Sequence, residues 1–181
     1  VIDYLGCEIQ KTITLEPPPP LSFISEVISE TVGEFEIPCK GESASILFTG
    51  TGGDHTNPYT LLIDDEVAGL FDQSDKTLEI DLDAGSYTMK IQDNLGCQSM
   101  ESVLDLDEPD EELTISNVEV FHPNCIGGSD GSFSVTASGG IPPYEFKIEE
   151  EAWQSSGTFS NLEATNYQLT IRDFNQCEIS Q

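Results

Sequence analysis

The five cysteines are the residues with the clearest chemistry in this sequence, and four of them form two similarly spaced pairs. Cys39 and Cys97 are 58 residues apart, Cys125 and Cys177 are 52 apart, and Cys7 stands alone near the first residue. No two cysteines form a Cys-x-x-Cys pair, so the spacing disfavours a zinc site. Cysteines in this pattern predict disulfides and an oxidising compartment.

A run of carboxylates around residue 108 is a second candidate site, in this case for calcium. Calcium takes about six to eight oxygen ligands, and two abutting modules can supply them together. No EF-hand spacing is present, and calcium at this point is the only cofactor that the sequence suggests. The candidate ligands are Asp105, Asp107, Glu108, Asp110, Glu111 and Glu112, joined by Asp130 or Asp173 from a facing loop.

No set of side chains indicates catalysis, and we do not expect an enzyme. A Ser/His/Asp centre needs a histidine beside a nucleophile, whereas His55 and His122 lie next to turn signals at unmatched positions. The glycines at 50–53 lack the lysine and the helix of a phosphate-binding loop. Trp153 could stack on a sugar, although aromatic residues that alternate along strands are usually core.

The charge of the chain excludes several kinds of partner. Six basic residues stand against 34 acidic ones, which gives a net charge of −28. Such a field repels nucleic acids and anionic membranes, and acidic side chains on exposed strands keep neighbouring sheets from associating. No apolar run approaches the roughly 18 residues of a membrane span, so we expect no direct membrane insertion.

One segment occurs twice, with tyrosine, aspartate and cysteine at the same mutual spacing. It covers residues 82–97 and 162–177, and its tail opens the chain at residues 3–7, which indicates a piece of a longer polypeptide. A Glu-Pro pair at 16–17 and again at 108–109 marks the boundaries. We therefore predict the end of a preceding repeat at 1–17, a full repeat at 18–108, and a second repeat at 109–181 that is truncated after its final turn.

The two full units share one order of features. Each has an alternating strand, a cysteine turn, a second strand, a Gly-Gly pair, a Pro-Tyr strand start, a variable loop, a short strand and the repeated segment. This density of short strands without helical periodicity is typical of a β-sandwich. The sequence predicts an all-β fold of tandem Ig-like antiparallel β-sandwich repeats.

The repeated segment contains two structural devices. Tyr87 and Tyr167 have the spacing of a tyrosine corner, in which the hydroxyl bonds back to the preceding turn. Asp93 and Asp173 head the following turn, where a carboxylate can accept backbone N–H groups. We expect this role for the aspartates, with metal binding as the alternative.

The disulfide pairing has more than one solution. We expect Cys39–Cys97 and Cys125–Cys177, because a crosslink inside its own module is independent of its neighbours; each would add roughly 4 kcal/mol. In a Greek-key sandwich, however, these cysteines lie at opposite ends, about 20 Å apart, and a disulfide spans at most about 7 Å between Cα atoms. In that case a strand is missing or bent, or the partners belong to different units.

The second unit resembles the SprB-type repeat of Bacteroidetes cell-surface gliding-motility adhesins. It departs from that pattern at Thr165 and Gln176, where the family usually has glycine, and the first unit is more divergent, with Ser43-Ala44 in place of Asp-Gly. The matching residues are Cys125, Gly128, Asp130, Gly131, Gly139, Gly140, Pro143, Tyr144, Trp153, Ser156, Gly157, Thr158, Phe159, Leu162, Tyr167, Asp173 and Cys177.

The resemblance implies a large protein that is exported through the type IX system and is displayed on the outer membrane or secreted. We expect structural stalk or adhesion repeats that project or link binding regions. Neighbouring repeats of the same chain would be the partners, with surface glycans or other cell-surface proteins as further ones. The alternatives are a polysaccharide- or protein-binding β-sandwich module of a secreted protein and an accessory segment of a secreted hydrolase.

Overall fold

The computed structural model describes residues 10–29, 35–53, 58–149 and 151–181, and this part of the chain contains strands and turns but no helix. The prediction of an all-β sandwich fold is confirmed. The strands are β1 (Ser22–Val27), β2 (Ala44–Thr51), β3 (Thr60–Ile63), β4 (Glu66–Leu70), β5 (Thr77–Leu82), β6 (Gly85–Gln92), β7 (Ser102–Leu106), β8 (Thr114–Phe121), β9 (Gly131–Ser138), β10 (Glu145–Ile148), β11 (Thr158–Leu162), β12 (Leu169–Arg172) and β13 (Glu178–Ser180).

The first seven strands form two antiparallel sheets that share one core. One sheet has the order β1-β2-β5 and the other β4-β3-β6-β7. Along β2 every second residue is buried, as expected for a strand with one face against a core. Ile46 and Phe48 from this strand meet Leu61, Met89 and Ile91 of the other sheet, and all five are completely buried.

The remaining strands form a second sandwich with a core of its own. Its sheets have the orders β11-β9-β8 and β10-β12-β13. Val135 and Phe159 from one sheet pack against Phe146, Leu169 and Ile171 from the other. The first core draws on residues up to Leu106 and the second begins at Leu113, so the chain passes from one sandwich to the other between them.

The predicted variable loop of the first unit contains a strand. Asp64 and Asp65 form a two-residue turn with φ of 50° and 66°, and Ile63 pairs with Glu66 across it. Positive φ at both central residues is the geometry that suits a tight hairpin between twisted strands. The acidic stretch therefore reverses the chain into β4, which extends the sheet beside β3.

A Gly-Gly pair ends β2 and its counterpart β9 in the same way. Gly52 and Gly139 have φ of 82° and 72°. A Cβ atom added at either residue would lie 1.9 Å from a backbone carbonyl oxygen, that of Pro20 or Glu112. Glycine is therefore required here both by the backbone conformation and by the close approach of the incoming chain.

The tyrosines of the Pro-Tyr strand starts form hydrogen bonds with these glycines. The Tyr59 hydroxyl donates to the carbonyl oxygen of Gly52 at 2.6 Å, and the Tyr144 hydroxyl donates to that of Gly139 at 2.8 Å. Tyr59 is fully buried. Each tyrosine thus fixes the glycine turn against the core of its own sandwich.

Alanine substitutions can separate the cost of a positive φ from the cost of a steric clash, with Gly127 as a glycine that has only the first. Gly127 has φ of 75° with nothing within 4 Å of an added Cβ, so Gly127→Ala should lower the free energy of unfolding by only about 1 kcal/mol. Gly139→Ala should cost roughly 1–3 kcal/mol more, because the Glu112 backbone must move. Urea unfolding followed by circular dichroism measures both, and equal losses would contradict a steric role for Glu112.

Candidate functional site: the junction between the sandwiches

The repeated aspartates position the cysteine that follows each of them. Asp173 is 2% exposed; its Oδ1 accepts the Cys177 amide at 3.0 Å and its Oδ2 accepts the Ile141 amide at 2.8 Å. In the first sandwich Asp93 Oδ1 accepts the amides of Leu95 and Cys97 at 3.0 and 2.9 Å. The contacts are those expected of a carboxylate that organises a turn.

The tyrosines make the contacts that a tyrosine corner requires. The Tyr87 hydroxyl donates to the Asp83 carbonyl oxygen at 3.0 Å. The Tyr167 hydroxyl donates to the Glu163 carbonyl oxygen at 3.4 Å and accepts from the Glu163 amide at 3.1 Å. Burial, followed by the negative charge of Asp83, raises the pKa of Tyr87 above its ordinary value.

In the part of the chain that the structure describes, the disulfide joins the two sandwiches, and the predicted pairing of Cys39 with Cys97 and of Cys125 with Cys177 is wrong. Cys39 is bonded to Cys177 with 5.6 Å between Cα atoms and 138 residues between them in sequence. Cys97 and Cys125 are free and exposed. Cys7 and His55 lie outside the described residues.

The pairing follows from the ends at which the turns lie. The segment before Cys39 is held to the end of β7 by the Ile37 amide, which donates to the Asp107 carbonyl oxygen at 3.1 Å. The turn that carries Cys97 lies at the opposite end, where an added Cβ on Gly53 would be 2.9 Å from Asp93 Oδ2. Strand β2 follows the Cys39 turn and strand β6 precedes the Cys97 turn, and each runs the length of the sandwich. One sandwich therefore cannot bring its own two cysteines within bonding distance.

Side chains reinforce the disulfide from both units. Asn175, only 3% exposed, donates from Nδ2 to the Pro38 carbonyl oxygen at 2.9 Å across the junction. The Glu108 carboxylate accepts the Gly41 amide at 2.7 Å and pairs with Lys40 Nζ at 2.5 Å. The Gly41 amide, followed by Lys40, lowers the pKa of Glu108. The sequence pattern does not indicate these roles, because its one local signal is a lysine beside a cysteine in a chain with few basic residues.

The calcium candidates do not converge on one point. Glu108 is engaged by Lys40 and Gly41, whereas Asp105, Asp107 and Asp110 have exposed side chains. Within the described ranges, no three residues among histidine, cysteine, aspartate and glutamate are placed to hold a metal ion. Calcium binding at the junction stays a prediction.

A cleft of about 350 Å³ lies beside the disulfide and is lined by both units. Lys40 and Glu42 come from the first sandwich, and Glu111, Asp173 and Glu178 from the second. Its charged lining is mostly acidic and includes no histidine. The cleft therefore lies at the crosslinked joint between the two sandwiches, with residues of both in its walls.

Trp153 lies against the outer face of the second sandwich. Lys147 Nζ is 4.5 Å and Arg172 Cζ is 4.2 Å from the centre of its ring. Such cation–π contacts hold the indole on the sheet. Sugar stacking on Trp153 stays a prediction.

The fold and the junction define a tandem of structural β-sandwich repeats. Residues 122–151, which include β9, the Gly-Gly pair and β10, match the family model of the SprB repeat. This confirms the resemblance seen in the sequence, and the SprB repeat is a structural repeat family of large cell-surface proteins, not an enzyme family. No curated protein matches the chain. In the part of the chain that the structure describes, no helix has the length and apolar character needed to cross a membrane.

Removing the interdomain disulfide should destabilise the pair of sandwiches. The bridge closes a loop of 138 residues, for which the chain-entropy account gives about 5 kcal/mol. We expect Cys39→Ser with Cys177→Ser to lower the free energy of unfolding by up to that amount in urea titrations. Cys97→Ser with Cys125→Ser is the matched control and should change it by less than about 0.5 kcal/mol. Equal effects of the two double variants would contradict a stabilising bridge.

The Glu108 contacts should make the junction sensitive to acid. A lowered pKa means that ionised Glu108 stabilises the folded state above the ordinary value of about 4.3, and that this contribution is lost as pH falls through the folded value. Glu108→Gln should therefore melt at a lower temperature than the parent at pH 7, with the difference shrinking towards pH 3. Glu111→Gln, an exposed neighbour with the same charge change, should show no such convergence.

Proposed function

We propose that this chain is part of the stalk of a large bacterial cell-surface adhesin, exported through the type IX system and displayed outside the outer membrane or secreted. Its role is to project or link the regions that bind a surface during gliding motility. The observation that carries this proposal is the covalent bond between Cys39 of one sandwich and Cys177 of the next. The match to a repeat of large surface proteins supports the same reading.

A stalk must resist extension, and the position of the disulfide suits that task. When the chain is pulled from its ends, the load passes from residue 39 through the disulfide to residue 177. Strands β2 to β12 lie inside the closed loop and are shielded from the load. Most of both sandwiches can therefore stay folded while the chain is under tension.

Single-molecule stretching tests this mechanical role. Under oxidising conditions, the 138-residue loop should stay closed and contribute nothing to the extension. Reduction should release about 450–500 Å of additional contour length, since an extended residue spans about 3.3–3.6 Å. The same extension in both states would overturn the proposal.

Glycan binding separates the stalk from its alternative. A polysaccharide-binding module would retain its ligands on a glycan array as the isolated chain, whereas a stalk segment should bind none. Binding that is lost in Trp153→Ala would identify the sugar-stacking face and favour the alternative.

A further inference from the structure

Cys97 and Cys125, the free cysteines among the described residues, lie in turns that repeat those of the bonded pair. The turn at 93–97 matches the bonded turn at 173–177: the aspartate amide donates to the cysteine carbonyl oxygen at 2.9 and 3.1 Å, respectively. The cysteine amide returns a bond to the aspartate carboxylate at 2.9 and 3.0 Å. The residue before the cysteine has positive φ in both turns, 86° at Gly96 and 69° at Gln176. Cys97 is thus held in the conformation that places Cys177 in a disulfide.

The same correspondence holds at the other end of each sandwich. The turn at 125–128 matches the bonded turn at 39–42: the cysteine carbonyl oxygen accepts the amide three residues later, at 2.9 and 3.2 Å. The third residue is a glycine with positive φ in both, 75° at Gly127 and 80° at Gly41. Cys125 is therefore presented as Cys39 is presented to the junction.

The neighbours of the free cysteines are uncovered where their counterparts are in contact. Asn175 is buried at the junction, whereas Leu95, at the same place in the first unit, is 73% exposed. Lys40 is paired with Glu108, whereas Ile126, at the same place in the second unit, is fully exposed. Leu95 and Ile126 thus place an exposed apolar side chain close to the exposed thiols of Cys97 and Cys125.

We propose that Cys97 and Cys125 are the two halves of a second copy of the observed repeat-to-repeat interface, and that its occupant is a further repeat of the same kind. Cys97 bonds to the cysteine of a turn like 39–42 in a preceding repeat. Cys125 bonds to the cysteine of a turn like 173–177 in a following repeat. The observed interface joins unlike ends, so it can recur along the chain without closing on itself. This proposal concerns how the repeats are joined and does not require that the protein is an adhesin.

Formation of each bond requires an oxidant, and a small-molecule disulfide such as oxidised glutathione supplies the electron balance. The Cys125 thiolate attacks one sulfur of the oxidant, forms a mixed disulfide and releases one thiolate. The Cys97-type thiolate of the facing turn then attacks the Cys125 sulfur and releases the second. Two protein thiols lose two protons and two electrons, and the oxidant becomes two thiols.

A two-copy chain tests the proposal at natural spacing. In this chain, residues 1–181 are followed directly by a second copy of residues 12–181. Residues 178–181 follow Cys177 in the same way that residues 8–11 follow Cys7, so residue 12 of the second copy takes its usual place after them. Cys7→Ser removes the cysteine that lies outside the described residues. The chain is folded in glutathione buffer, free thiols are alkylated, and disulfides are assigned by peptide mass mapping.

We expect three disulfides: Cys39–Cys177 within each copy, and Cys125 of the first copy bonded to Cys97 of the second. Alkylation of the first-copy Cys125 should fall at least tenfold relative to the two-copy chain with Cys97→Ser in its second copy. The Cys39–Cys177 bonds report that both copies have folded. If these form while the first-copy Cys125 stays alkylated or bonds elsewhere, the proposal is overturned. Stretching of the single chain tests only Cys39–Cys177, so the two proposals fail separately.

Discussion

The organisation of this protein depends on one constraint: an antiparallel sandwich places its β1–β2 and β6–β7 connections at opposite ends. The Cys39 turn lies where β7 leaves the first unit, and the Asp93 turn lies where the chain enters it. A disulfide between two such turns in one sandwich would have to cross the length of a strand, which its geometry forbids. When two sandwiches follow one another, however, the exit end of one meets the entry end of the next. The crosslink therefore belongs to the joint.

The joint is specified by backbone groups as much as by the cysteines. Pro38 offers its carbonyl oxygen to Asn175, and Gly41 offers its amide to Glu108. The Asp173 turn is held by hydrogen bonds inside the second sandwich, and the segment before Cys39 is held to the end of β7 by the Ile37 amide. Because hydrogen bonds position both turns, they reduce the conformational entropy that is lost when the disulfide forms. Lys40, one of six basic residues in the chain, supplies the charge that the acidic junction needs.

Much of the fold could be predicted because its signals are local. Alternating side chains reveal strands, and the glycine pairs mark turns that need positive φ. The hairpin at Asp64 and Asp65 was missed because two aspartates are a weaker signal for that turn than Asn-Gly or Asp-Gly. The Cys39–Cys177 bond was missed because sequence spacing reports which cysteines recur, and not which end of a sandwich faces its neighbour.

The joint also connects two unlike ends, because the exit end of the first sandwich meets the entry end of the second. Such a contact between unlike surfaces is heterologous, as between the units of other repeat proteins. Sideways contact between strands is opposed by the negative charge, −28 over 181 residues. At the joint, the covalent bond between Cys39 and Cys177 holds the two sandwiches together against this repulsion, and Lys40 neutralises Glu108 within the first unit. Charge and crosslink thus act on different surfaces: the charge keeps strands apart, and the crosslink fixes one sandwich to the other.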